Sequence, residues 1–149
     1  MEIEDVTIHV SHDLYKTKAF RVLDRLEREK NTPNLEVLSQ AADLNDCDVF
    51  IFGHHHLFMD EVVNKKRFIC VGSVGMPLNG DPRAQYMVLD INQNHITTSK
   101  QYVDYDLREL VRDFEEKGFL EKHSVWSMNT LITMLTGHNY IGTQDLRNK

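Results

Sequence analysis

With 149 residues, 41% hydrophobic and 27% charged, the chain has the size and composition of one globular domain able to bury a substantial core. A net charge of -6 excludes a general nucleic-acid surface or an anionic-membrane surface, both of which require a basic face. It does not exclude a small pocket in which bound cations supply the positive charge that a phosphate ester needs.

"DVTIHVSH" (5–12) alternates and is rich in β-branched residues, which predicts a strand starting almost at the first residue. From Leu14 to about Lys30, Ala19, Phe20, Leu23 and Leu26 recur at helical spacing with charges between them. "NTPN" (31–34) breaks that helix, and "LEVLSQAADLN" (35–45) predicts a second, shorter one. "CDVFIFG" (47–53) is a nearly continuous apolar run, the pattern of a strand buried on both faces.

Two hairpins follow. The first spans 61–73 with its turn at Asn64-Lys65-Lys66, and the second spans 85–106 with its turn near Asn92-Gln93-Asn94. Between them "GSVGMPLNGDPR" (72–83) packs three glycines and two prolines into one loop, the chemistry of a functional connection. Leu107, Leu110, Val111 and Phe114 then mark one face of a helix that starts at a capping-box-like Asp106 and Glu109 and ends at Gly118. A further helix is predicted over about 124–135, followed by a frayed tail. The sum is an α/β fold with a mixed sheet in a single domain.

Cys47 and Cys70 sit in apolar runs without C-x-x-C spacing and are expected to be buried and reduced. No apolar stretch reaches membrane-spanning length, and the first residues are acidic where a signal peptide is basic, so a cytoplasmic protein is expected.

The chemistry concentrates in histidine. His12 ends the first strand, and His54, His55 and His56 follow the buried strand through Gly53. Rigid strand ends deliver ligands to one edge of a sheet. In extended backbone i and i+2 point the same way, so His54 and His56 can converge while His55 faces elsewhere. Three imidazoles suit zinc, nickel, iron or manganese alike. His9 reads as a satisfied core or edge residue, and His95, His123 and His138 as surface positions. No residue shows the base partner of a covalent triad, and no phosphate-binding glycine motif is present.

Gly53-His54-His55-His56, Gly72-Ser73-Val74-Gly75-Met76-Pro77 and Pro82-Arg83-Ala84-Gln85-Tyr86, in that order after "IHVSHD", resemble the second half of a calcineurin-like metallophosphoesterase. The nearest subgroup is the small bacterial phosphodiesterases and phosphatases, and the resemblance covers roughly residues 5 to 106. It implies the mixed-sheet part of a four-layer sandwich. It also implies two divalent ions (manganese, iron, zinc, nickel or magnesium) that activate a hydroxide for attack on phosphorus. His12 and His54 would bind one ion and His56 the other, with Gly72, Ser73, Gly75 and Arg83 as candidates of the substrate loop. Asp13 or Asp60 could accept from the second ring nitrogen of a ligand, although a solvated carboxylate suits both, and an ion pair suits Arg83.

Three family motifs have no counterpart in this sequence: Asp-x-His, Gly-Asp-x-x-Asp and Gly-Asn-His-Asp/Glu, which carry the other ligands, the bridging carboxylate and the general-acid histidine. The expectation is a single incomplete domain over 1–149, its N-terminal half absent through truncation, a split gene or a misplaced start. It would hold metal at partial occupancy at most, lack activity alone, and pair with its missing half or with another copy. A phosphate ester is the expected substrate of the complete site. The alternative is a non-catalytic protein-interaction module on the same fold. Two smaller departures are Cys70-Val71, where many relatives have Asn-Pro, and Asp13, where the residue after the upstream histidine is often glycine.

Overall fold

The computed structural model describes residues 1–14, 33–44, 46–93, 95–122 and 124–139. The helix expected from Leu14 to Lys30, His123 and the tail from 140 therefore lie outside the described residues, apart from Leu14 itself, which is fully buried.

The elements run β1 (Glu2–Ile3), β2 (Val6–Ser11), α1 (Leu35–Asp43), β3 (Val49–Phe52), β4 (Phe58–Val63), β5 (Lys66–Val71), β6 (Ala84–Asn92), β7 (His95–Val103), α2 (Leu107–Glu116), α3 (Phe119–Lys122) and α4 (Ser124–Thr136). Five strands form one sheet in the order β1-β2-β3-β5-β4, and β6 and β7 pair separately. β2, β3 and β5 are parallel, while β1 and β4 are antiparallel to their neighbours, so the sheet is mixed as expected. Sequence reading missed the two-residue β1 and the single-turn α3. β1 exists because Glu4 and Asp5 adopt positive φ (46° and 63°), the backbone of a two-residue hairpin turn that neither residue type advertises.

β3 is buried on both faces because helix covers one and strand the other. Phe50 and Phe52, with Phe68, Cys70 and Met59 of neighbouring strands, pack against Leu38, Ala41 and Ala42 of α1. The rings of Phe50 and Phe68 stack with centroids 4.6 Å apart. The alternate residues, Val49, Ile51, Ile69 and Val71, meet Met87, Leu89, Ile91 and Ile96 of the β6–β7 hairpin. Leu38, Ala41 and Ala42 recur at i, i+3, i+4, one stripe of a helix, which is why so short an element docks firmly. Asn64 ties the β4–β5 turn to the same helix, donating to Ser39 Oγ at 2.9 Å and Asp43 Oδ1 at 3.2 Å.

α2 begins where expected, with the Asp106 carboxylate accepting from Arg108 N at 2.8 Å. At the far end of α4, Gly137 has φ of 70°, and a Cβ there would lie 2.5 Å from the Asp81 amide nitrogen. Its carbonyl accepts from Gly80 N at 3.1 Å, so the helix closes onto the 72–83 loop. This return carries His138 against Gly80, half-buried rather than at the surface as expected. Both cysteines are free, Cys70 is buried, and burial pushes its thiol up to about 11. Among the described residues no helix is long and apolar enough to cross a membrane.

A polar bridge joins the middle of the sheet to the hairpin. Arg67 of β5 donates from Nε and Nη2 to both carboxylate oxygens of Asp60 at 2.7 Å each, and from Nη1 to the Ile96 carbonyl. Thr98 of β7 donates to the same carboxylate. Burial alone would raise the Asp60 pKa, but the Arg67 and Thr98 hydrogen bonds and the charges of Arg67 and Lys100 outweigh it and hold it below the usual aspartate value. A carboxylate with a depressed folded pKa stabilises the protein above its unfolded pKa and loses that contribution as pH falls through the folded value. Asp60→Asn should therefore cost about 2 kcal/mol at neutral pH. In urea denaturation the gap between variant and wild type should close only below about pH 4; a gap independent of pH would refute the ionic bridge.

Candidate metal centre

β2 and β3 lie side by side with Ser11 opposite Phe52, so the residues that follow them leave the sheet at one edge. Gly53 N donates to the His12 carbonyl at 3.1 Å, tying the two exits together. His12 and His54, 42 positions apart in sequence, consequently meet: His54 Nδ1 stands 3.3 Å from His12 Nε2, with the rings edge to face at 5.2 Å between centroids. Both side chains are exposed to solvent.

His56 does not join them. His54 and His56 have φ of 64° and 60°, so the triplet is not the extended backbone from which convergence at i and i+2 was expected. The five other non-glycine residues of positive φ among those described (Glu4, Asp5, Asn64, Lys65 and Gln93) all lie in hairpin turns. His54 and His56 are left-handed without that reason, and each costs on the order of 1 kcal/mol that surrounding contacts must offset. Strain of this kind collects where a side chain has to be aimed.

His56 is aimed by the 72–83 loop. Its Nδ1 contacts the Met76 carbonyl at 2.6 Å and Ser73 Oγ at 3.4 Å, while Leu78 N donates to the His56 carbonyl at 3.1 Å. With Nδ1–H donating to Met76, Nε2 keeps its lone pair for a ligand. Ser73 Oγ in turn accepts from Met76 N at 3.0 Å, which shapes the loop. This role of Met76 is invisible in sequence, since a backbone carbonyl has no residue-type signature. The two carboxylates considered as acceptors act elsewhere. Asp60 serves the Arg67 bridge, and Asp13 lies with Oδ1 3.7 Å from His55 Nε2.

His55 is half-buried against Phe52. Burial pushes its pKa down, Asp13 opposes this, and charge on His54 or His56 adds to it, so the ring is neutral at pH 7. Of the loop candidates, Ser73 alone touches a histidine of the triplet in the contacts described. Gly72 has φ of 84°, and a Cβ there would stand 2.9 Å from the Phe58 ring. Gly75 approaches Met134 of α4. Arg83 pairs with Asp81 at 2.5 Å and lies 4.5 Å over the Tyr102 ring. His9 is half-buried, with its ring 5.9 Å from Phe50, and His95 is exposed.

The donor set fits part of a metal centre. Two imidazole nitrogens each 2.0–2.1 Å from one tetrahedral ion stand about 3.4 Å apart, close to the His12–His54 spacing. Among the described residues, however, no group of three or more His, Cys, Asp or Glu side chains comes together to hold an ion.

A model of the calcineurin-like phosphoesterase superfamily domain matches residues 1–94, well over half the chain. The chain belongs to that superfamily. A search of curated proteins finds no match. Among solved structures, a hypothetical protein from Pyrococcus horikoshii is similar at 12% identity with a TM-score of 0.66, over 93% of this chain and 50% of its own. A metallophosphoesterase from Sphaerobacter thermophilus is similar at 17% identity with a TM-score of 0.63, over 89% of this chain and 56% of its own. Both likenesses establish the mixed α/β phosphoesterase fold, and the chain spans about half the length of each structure.

Gly72→Ala should be costly, because it combines a left-handed backbone with crowding against the Phe58 ring and the Cβ of the buried Gln85. A loss of roughly 2–4 kcal/mol is expected in chemical denaturation. A variant within 0.5 kcal/mol of wild type, on the order of measurement error, would show that the loop is not packed as described.

Proposed function

We propose that this chain supplies one side of a two-ion phosphoesterase site that hydrolyses phosphodiesters or phosphomonoesters, with His12 and His54 on one divalent ion and His56 on the other. The observation that carries this reading is the 3.3 Å approach of His12 and His54 at adjacent parallel strand ends, in a chain of the calcineurin-like superfamily. When bound, divalent ions polarise phosphoryl oxygens and make a water-derived nucleophile available at neutral pH. The chain's own residues present lone pairs and keep them aimed. Strand register holds His12 and His54 together, and the Met76 carbonyl holds the Nδ1 proton of His56 so that Nε2 stays open.

Bridging carboxylates and a proton donor for the leaving group would come from a complementary half of the fold, which neither the described residues nor the sequence motifs supply. The chain by itself is then a binder of metal at partial occupancy with negligible turnover. The absence of a three-residue cluster among the described residues equally favours a second reading, a non-catalytic interaction module on the phosphoesterase fold.

Titration calorimetry with Mn²⁺, and hydrolysis of bis(p-nitrophenyl) phosphate in its presence, separate these readings. Mn²⁺ should bind the wild type and bind His54→Ala at least tenfold more weakly, with negligible hydrolysis by either. No Mn²⁺ binding by the wild type would favour the interaction module. Substantial hydrolysis abolished in His54→Ala would overturn the half-site reading.

A further inference from the structure

The β6–β7 hairpin forms a sheet of two strands, and its two outer edges differ. β7 lies over β4 and β5: Arg67 and Asp60 engage Ile96 and Thr98, and the Tyr102 ring stands 5.7 Å from that of Phe58. Charges guard that side, with Asp60 and Glu61 in β4 and the Lys100 ammonium of β7 5.4 Å from the centre of the Phe58 ring. β6 therefore lies on the opposite side, toward β2. Among the described residues no strand pairs with its outer edge.

That edge lacks the devices by which natural edge strands resist pairing, namely lysine, proline and inward-pointing charge. Gln85 N turns away from β7 to donate to the Ser73 carbonyl at 3.0 Å, which sets the alternation along the strand. Met87, Leu89 and Ile91 accordingly direct their N–H and C=O groups outward at the edge. Their side chains pack inward on the cluster of Val6, Ile8, Val49 and Ile69, yet each is only half-buried. Val10 repeats the pattern in the layer beneath. It is 56% exposed, although Val6 and Ile8 on the same face of β2 are only 5% and 4% exposed. The sandwich is open along this side in both layers.

We propose that β6 pairs antiparallel with β6 of a second copy of this chain, about a twofold axis through Leu89, so that two hairpins become one four-stranded sheet. Antiparallel partners exchange both backbone bonds between opposed residues, and the edge offers three such positions. Leu89 falls opposite its own counterpart, and Met87 opposite Ile91 of the second copy. The register has an electrostatic reason. Asp90 is the single charged residue of 84–92, and an axis through it would set two carboxylates face to face. An axis through Leu89 sets each Asp90 opposite Val88 of the second copy instead. The edge is thus complementary to itself, and it carries no charge pattern addressed to a different partner. The pairing is independent of the metal reading above.

Sedimentation equilibrium of the full chain, from about 1 to 100 µM, should show a monomer–dimer equilibrium. Val88 is 44% exposed, so Val88→Asp leaves the core alone while facing Asp90 of the second copy. It should weaken association by about tenfold or more. Adding Asp90→Lys should restore association, because the opposed pair is then of opposite sign. Val62→Asp, at a 66% exposed position on the β4 edge, should leave association unchanged, which separates the contact from net charge. A chain that stays monomeric at every concentration would overturn the pairing and leave the edge to a different polypeptide. So would a dimer that Val88→Asp does not weaken, or that Val62→Asp weakens equally. Failure of Asp90→Lys to rescue Val88→Asp would overturn the register about Leu89, and the proposal with it.

Discussion

The parallel pairing of β2 with β3, in the register that sets Ser11 opposite Phe52, is the constraint on which the rest of the site depends. Parallel strands start and end together, so whatever follows them emerges at one edge of the sheet. A slip of one residue would turn Phe50 and Phe52 from the α1 face to the hairpin face, exchanging aromatic rings for the space that Val49 and Ile51 now fill. The register is therefore specified by the core, and the 3.3 Å meeting of His12 and His54 follows from packing that involves neither residue.

The same argument explains the fold's economy. β3 can be apolar along its whole length only because each face has its own cover, α1 on one side and β6–β7 on the other. The hairpin could in principle slide over a greasy surface. The Asp60–Arg67–Thr98 bridge opposes this, because a guanidinium gripping a carboxylate in two places and a carbonyl of the opposite layer has one satisfactory geometry. Direction-insensitive burial thus supplies most of the attraction, and directional polar contacts, this bridge and the Gln93 N to Glu4 Oε2 hydrogen bond at 2.9 Å, set the alignment.

What was legible in the sequence follows the same division. Elements defined by periodic burial were readable: the alternation of 5–12, the apolar run at 47–53, the stripe of Leu38, Ala41 and Ala42, and the cap at Asp106. β1 was not readable, because it depends on two acidic residues adopting left-handed backbone, nor was α3, which is a single turn. At the candidate site, the placement of His12 and His54 at neighbouring strand ends was legible, and the family was too. The left-handed backbone of His54 and His56, φ 64° and 60°, was not, since histidine adopts it only under tertiary constraint, although the resemblance already assigned the two to different ions. The Met76 carbonyl and the half-burial of His138 escaped for a related reason: both depend on how the 72–83 loop folds back, onto His56 and onto α4.

The histidine triplet is thereby divided between two supports of different kinds. His54 belongs with His12 and is placed by strand register, whereas His56 belongs with the glycine-rich loop and is placed by the Met76 carbonyl. The left-handed residues are the means of this division, since an extended triplet would send both rings to the same side and leave the loop with nothing to hold. A single-ion site would need the opposite arrangement, three imidazoles closing on one point. Imidazoles held apart on separate supports suit two neighbouring ions, and two ions in one site repel each other unless anionic ligands stand between them. On the two-ion reading proposed above, imidazoles on separate supports would need carboxylates from elsewhere between the ions, and that need is the ground for proposing one side of a larger centre.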